Sequence, residues 1–327
     1  MSRKAVLTLT LGLVALVAVA AGALVWGAAT YDKSGPLGEN VTVVLPRGSS
    51  VSRISQILES RGIIANPDLF KAVVRVYGLS GSLRAGEYRI PARSSMRAVT
   101  KLFINGETVV RRLTSAEGLT TVEVLRIIEQ DQALTGTVPA EVAEGTLLPE
   151  TYHYTYGDSR QEMVERMQKA MTDLIDELWP SRIADLPINT ESEAIILASI
   201  VEKETGVANE RARVAGVFVN RLRRGMRLQS DPTVVYALTA GSGPLGRRLT
   251  RGDLAMDSPF NTYRVGGLPP RPIANPGRAA IAAVLNPMET DDLYFVADGE
   301  GGHAFAKTLA AHQRNVRRWR QIQGQQD

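Results

Sequence analysis

VTVVLPRGSSVSRISQILESRGIIANPDLFKAVVRVYGLSGSLRAGEYRI, residues 41–90, decides the fold class. Residues 41–45 are apolar or β-branched and read as a strand. Residues 49–61 read as an amphipathic helix and 67–77 as another, with Leu69, Val73 and Val76 at helical spacing. Residues 86–90 read as a second strand, and 94–105 as a third helix that ends near Gly106. Strand, helix, helix, strand, helix within roughly 65 residues makes a compact α+β module, expected over 41–107.

On the N-terminal side, residues 5–29 contain no charged residue and are rich in Leu, Val and Ala. As a helix rising about 1.5 Å per residue they cover a hydrocarbon core of about 30 Å, which predicts one transmembrane crossing. A cleaved signal peptide is the competing reading, with Arg3 and Lys4 as its charged start and the Ala-rich stretch at 18–23 as its cleavage region. Signal-peptide apolar cores run only about 7–15 residues, so length favours an uncleaved anchor over residues 1–30. Arg3 and Lys4 precede the span, which predicts a cytoplasmic N-terminus and the remaining domains outside. YDKSGPLGEN, residues 31–40, has the composition of a short exposed linker.

On the C-terminal side, a larger mixed α+β domain is expected over 108–319. VVRRLT, residues 109–114, reads as its opening strand, and 120–130, 160–179 and 190–205 as helices, the last opened by a Thr190/Glu193 capping box. From 207 onward the helical pattern gives way to Gly- and Pro-rich stretches, SDPT, SPFNTY and GGLPPRPIANPG. They are too punctuated for simple connections, and loops of this kind on a helical scaffold build binding sites. Residues 320–327, ending QGQQD, are expected to form a frayed tail.

Composition narrows the function. A chain of 327 residues, 44% hydrophobic and 22% charged, is ordinary globular material with room for about two soluble domains. The 38 basic and 34 acidic residues nearly balance, and much of the excess sits at the ends, in Arg3, Lys4, Arg314, Arg317, Arg318 and Arg320. With 6% aromatic residues, this argues against a nucleic-acid partner. Absence of cysteine excludes disulfide frameworks, Cys-ligated zinc and thiol nucleophiles. His153, His303 and His312 lack the spacing of zinc motifs, so neither metal nor cofactor is expected; His153 reads as a packed or hydrogen-bonded residue. No nucleophile elbow, Walker A loop or dinucleotide fingerprint is present.

LASIVEKETG, residues 197–206, places Glu202 and Glu204 at the end of an otherwise apolar helix. At about 100° per residue, Ile195, Ala198, Ser199 and Glu202 share one stripe and Leu197, Ile200, Val201 and Glu204 another, so phase does not choose between them. Ala198 and Ser199 leave more room beside Glu202 than Ile200 and Val201 leave beside Glu204. A carboxyl held against apolar surface favours its neutral form and can act as a general acid near neutral pH. The competing reading has both glutamates solvated at a helix end, pairing with Lys203 or Arg211. Asn220, Gln229, Asp231, Asn261 and Tyr263, in or near the Pro/Gly-rich stretches, suit sugar hydroxyls and N-acetyl groups but equally suit turns.

EGTLLPETY (144–152), LASIVEKET (197–205), NRLRRGMRLQSDPTVVY (220–236), NTYRVGGLPPRPIANPG (261–277) and YFVADGEGGHAFAKT (294–308) occur in that order. Together they make the chain resemble the MltG (YceG-like) family of endolytic murein transglycosylases. The resemblance implies that residues 41–107, with AGEYRI at 85–90, form a LysM-like module and 108–319 the catalytic domain. It also implies that Glu202, the first glutamate of SIVEKET, is the catalytic acid and Glu204 a supporting neighbour. Glu144 matches the acidic residue opening the family's EG-x-L-F-P-D-T-Y motif and is expected to shape the cleft. Leu148 and Glu150 depart from that motif, and Arg271 stands where a small Gly is common.

The implied reaction is non-hydrolytic cleavage between N-acetylmuramic acid and N-acetylglucosamine, closing a 1,6-anhydro ring. Because the nucleophile is the substrate's own C6 hydroxyl, one carboxyl serves as acid and then base, without the paired carboxylates of a hydrolase. The alternatives are a muramidase that drafts Glu144 or Asp231 as second carboxylate, and a non-catalytic wall-binding scaffold. Glycan strands of peptidoglycan are the implied partner, and penicillin-binding glycan polymerases the implied associates.

Overall fold

A computed structural model describes residues 3–324. The chain divides into two units, one of residues up to 111 with 153–157, the other of 112–152 with 158 onward. The architecture is mixed α+β, as expected.

The first unit opens with α1 (Arg3–Asp32), of which Val6–Asp32 is long and apolar enough to cross a membrane. From Val6 to Trp26 its side chains are exposed on every face, Leu9 64%, Leu13 61% and Val17 58%. A helix apolar all round needs a lipid or protein surround. The module follows as β1 (Val41–Leu45), α2 (Val51–Ser60), α3 (Pro67–Val76), β2 (Gly86–Ile90) and α4 (Met96–Asn105). Local signals set these bounds: Ser50, Asn66 and Ser95 each accept a backbone N–H at a helix start, and Gly106 closes α4 at φ 72°. β1 and β2 pair antiparallel, Val41 opposite Ile90 and Leu45 opposite Gly86. Their inner faces and the helices bury Val43, Leu45, Leu58, Phe70, Val74, Tyr88 and Phe103 in one core.

Two expectations change here. The fully buried face of α3 carries Phe70 and Val74; of the Leu69, Val73, Val76 stripe the first two pack against the same core half-buried, and Val76 is 82% exposed. Residues 31–40 are mostly exposed, but the segment is pinned to the module at two points. Tyr31 and Leu37 are buried in the module core, Arg93 N–H donates to Leu37 O, and Gly35 N–H donates to Arg93 O.

The second unit begins at Arg112, within β3 (Val110–Thr114), which pairs with β4 (Thr151–Thr155) around α5 (Thr121–Gln130) in sequence; residues 153–157 belong to the first unit. There follow α6 (Arg160–Leu178), α7 (Glu191–Glu204), α8 (Arg211–Arg223), α9 (Asp231–Thr239), α10 (Arg251–Ala255), α11 (Arg278–Leu285), a hairpin of β5 (Tyr294–Ala297) and β6 (His303–Ala306), and α12 (Leu309–Gln323).

α7 is the buried axis of this unit, with Ala194 and Ile196 through Val201 all inside the core and α8 and α11 packed against it. At its start Thr190 accepts the Glu193 N–H at 3.2 Å, but the Glu193 carboxylate bonds the Asn189 N–H instead of closing a box on Thr190. α8 to α12 and the hairpin occupy the region expected to be loop-rich. Periodicity is weak there because α8 is buried from Val214 through Val219, leaving no continuous polar face to mark its phase. α12 also continues to Gln323, into the expected tail, and residues 325–327 lie outside the described residues.

Candidate active site

Glu202 stands in the last turn of α7 with its side chain only 5% exposed. Small neighbours one turn earlier admit the 273–277 segment beside it. Ser199, fully buried, accepts the Ile273 N–H at 3.0 Å while donating to Ile196 O. The segment then delivers the Gly277 N–H, at the start of α11, to Glu202 Oε2 at 2.9 Å. Arg211, the first residue of α8, brings a guanidinium nitrogen 3.8 Å from Oε1.

A loop from the start of the unit closes over this carboxylate. Gly118 N–H donates to Asn275 O at 3.0 Å, and Lys203 Nζ donates to Gly118 O at 3.1 Å. Asn275, fully buried, braces both strands of backbone: its Nδ2 donates to Leu119 O and its Oδ1 accepts the Leu147 N–H. Glu117 lies so close to Gly277 that a Cβ there would collide with its carboxylate. A side chain at 277 would displace the Glu117 carboxylate from its place beside Glu202.

The electrostatics follow. Burial raises the Glu202 pKa above the usual carboxylate value. The Gly277 N–H, Arg211 and Lys203 pull it back, the negative charge of Glu117 pushes it further up, and the net shift is upward. Such a group holds its proton closer to neutral pH and can give it away, then stabilise its own anion on a backbone N–H and two cations. Glu117, Asn275 and Gly277 were not picked out from sequence as site residues. The available signal was only indirect, glycines at 118 and 277 where backbones approach closely.

Glu204, two residues on, faces a separate concavity of about 440 Å³ shared with Arg221, Gln229, Asp231, Tyr263 and His312. Ser230 Oγ donates to its Oε1, and Tyr263 OH donates to Asp231 Oδ1 at 2.6 Å. Burial, with Asp231 adding negative charge, pushes the Glu204 pKa up to about 7 against the pull of Ser230, His303 and Arg221. Gln229 sits at φ 53°, its N–H on Thr262 O at 3.1 Å, which turns the chain into α9 and presents Asp231. Of the expected binding residues, Glu204, Gln229, Asp231 and Tyr263 are therefore assembled together.

Others are not. Asn220 spends its amide on Thr290 O (2.6 Å) and Asp292 O (3.1 Å). Asn261, fully buried, gives its amide to Leu254 O and Met256 O and accepts the Tyr263 N–H. Both side chains brace backbone, with Asn261 holding Tyr263 in place. Glu144 lies in another concavity of about 820 Å³, with Ile195, Tyr236 and Arg271 on its walls. It accepts the Thr121 N–H at 2.7 Å and Tyr236 OH at 3.2 Å, tying the start of α5 to α9, and burial raises its pKa. Arg271 rests 5.4 Å from the Phe260 ring centroid, so the long side chain that replaces the common Gly is stacked along this rim. Among the histidines, His303 Nδ1 meets Glu210 at 2.7 Å and His312 stacks on Tyr294, while His153 is exposed on β4.

Comparison with known proteins places this arrangement. The chain is 30% identical over 326 residues to the endolytic murein transglycosylase of Bacillus subtilis, spanning 88% of this chain and 89% of that protein. It is 30% identical over 324 residues to the protein of the same name from Streptococcus pneumoniae, spanning 84% of this chain but 58% of that longer one. The crystal structure of a YceG-like protein from Listeria monocytogenes superposes with a TM-score of 0.53 at 32% identity, covering 84% of this chain and 98% of the other. The model of the YceG-like family matches residues 43–318, the Glu202 site included, and the chain belongs to that family.

Proposed function

We propose that this chain is a membrane-anchored endolytic lytic transglycosylase of peptidoglycan, with Glu202 as its catalytic residue. The observation that carries the reading is the Glu202 carboxyl itself, nearly enclosed, raised in pKa by burial, and met by the Gly277 N–H. Protonated, it gives its proton to the glycosidic oxygen leaving the muramyl C1. As carboxylate, it takes the proton of the same sugar's C6 hydroxyl, whose oxygen closes the 1,6-anhydro ring on C1. The shared name of the relatives, endolytic murein transglycosylase, supports the same substrate class. In this reading the Glu204, Asp231, Tyr263 concavity binds glycan beside the reacting bond. The module at 41–107 is the LysM-like wall-binding element, α1 the anchor to the inner membrane, and penicillin-binding glycan polymerases the neighbours in the growing wall.

A second reading has one specific observation behind it. Glu117 is a second carboxylate near enough to raise the Glu202 pKa, which a hydrolytic muramidase could use to activate water. Product chemistry separates the two. Glycan digested by the protein should carry 1,6-anhydromuramyl ends, and Glu202→Gln should abolish cutting while circular dichroism shows the fold retained. Reducing ends in place of anhydro ends would transfer the site to the hydrolase reading.

A further inference from the structure

α3 has an apolar edge that the module core covers only in part, with Val73 packed against the core and Val76 left outside it. Ala72, Val73 and Val76 border a groove of about 500 Å³ whose opposite wall is the end of α1, with Leu24, Gly27 and Ala28. The two walls are held in register. Tyr31 OH and Thr100 Oγ1 share a buried hydrogen bond of 2.6 Å, Arg97 pairs with Asp32, and Leu69 Cδ1 packs against Gly27. The edge of the groove is wide open, Val76 being 82% and Tyr77 73% exposed.

We infer that this groove takes an acyl chain of a membrane phospholipid with an anionic headgroup, drawn from the leaflet nearest the module. The inference rests on α1 crossing the membrane. Depth is the first argument. About 20 residues span the hydrocarbon core, so an apolar run over 5–29 puts Leu24 to Ala28 at its edge, where acyl chains meet headgroups. The groove opens at that level, continuous with the face of α1 already in lipid. Chemistry is the second. Trp26, 59% exposed, and Tyr77 stand near the same level, and amphipathic rings collect at that boundary. Charge is the third. Lys101 lines the groove and has no ion pair among the described residues, and Arg97 beside it pairs with Asp32 and lies 5.4 Å from the Tyr31 ring centroid. A phosphate completes that pair of cations while its chain covers the apolar walls.

The absence of cysteine allows single-site labelling in the full-length protein. Val76→Cys, Ser60→Cys and Ala15→Cys would each carry an environment-sensitive fluorophore in vesicles of phosphatidylcholine with or without phosphatidylglycerol. Quenching is read with nitroxide-labelled lipid and with aqueous iodide. The label at 76 should be quenched by the lipid and shielded from iodide, more so with phosphatidylglycerol, and the label at 60 should show the reverse. Lys101→Glu should remove the phosphatidylglycerol-dependent part at 76. Iodide quenching at 76 equal to that at 60, with lipid quenching kept at 15, overturns the groove assignment and leaves the membrane span standing. Loss of lipid quenching at 15 overturns both. In a separate unlabelled sample of Val76→Cys, disulfide formation between two copies under mild oxidation would hand the groove to self-association and overturn the lipid assignment.

Discussion

Glu202 and Glu204 leave the same helix end and meet different surroundings, which makes their protons separately testable. A general acid works protonated, so the role proposed for Glu202 predicts that activity falls as pH rises through its pKa. Glu117 helps hold that pKa up and Arg211 holds it down. Glu117→Gln should move the alkaline limb of kcat/KM to lower pH, and Arg211→Ala should move it to higher pH. A limb that both variants leave in place belongs to another group. Glu204 makes a stability prediction. Its pKa is about 7 in the folded chain against 4.5 as the ordinary value, so the folded state binds the extra proton. Its stabilising contribution is full below pH 4.5 and lost as pH rises through 7. Glu204→Gln should flatten that slope and raise stability at pH 8 by on the order of 1–3 kcal/mol, read from urea midpoints at pH 5 and 8. Sequence could nominate both glutamates, because carboxylates ending an apolar helix stand out. It could not nominate Glu117 or Asn275, whose roles arise only when loops distant in sequence close over α7.

At the scale of elements, legibility follows amphipathicity. The module's strands and helices were readable because each has one buried face and an end signal, such as Ser50, Asn66 or Gly106. α8 was not, being buried on most sides, and the β5–β6 hairpin was passed over although its DG turn is a recognised hairpin signal. Asp298 fastens that turn by accepting the Glu300 and Gly302 N–H groups at 2.7 and 3.0 Å. α8 offers a test in which two principles oppose. Gly216→Ala gains about 1 kcal/mol of helix propensity. A Cβ at 216 would, however, lie 2.5 Å from Met288 O and 3.1 Å from Thr290 Cγ2. Backbone cannot retreat as a side chain can, so the overlap wins and the variant should lose roughly 1–3 kcal/mol in chemical denaturation. A gain would show that the 288–290 segment yields freely.

For the whole molecule, each unit has its own core, and Glu202 with its named neighbours lies entirely in the second. Cutting chemistry should then survive loss of the anchor, whereas the place of cutting should not. A tether raises the local concentration of an enzyme at the membrane without changing any contact in its site. The replacement must stop before Tyr31, whose ring is 5% exposed inside the first unit's core and bonded to Thr100. Exchanging residues 1–29 for a cleaved export signal should leave the rate on purified peptidoglycan within about twofold, since the tether contributes only through such local concentration. In cells, anhydro ends should shift from newly made glycan toward mature wall, measured by pulse-labelling the wall and analysing muropeptides at successive times. An unchanged distribution of cuts would show that the second unit finds nascent strands unaided. A collapse of the rate on purified substrate would show that α1 contributes to the fold as well as to the address.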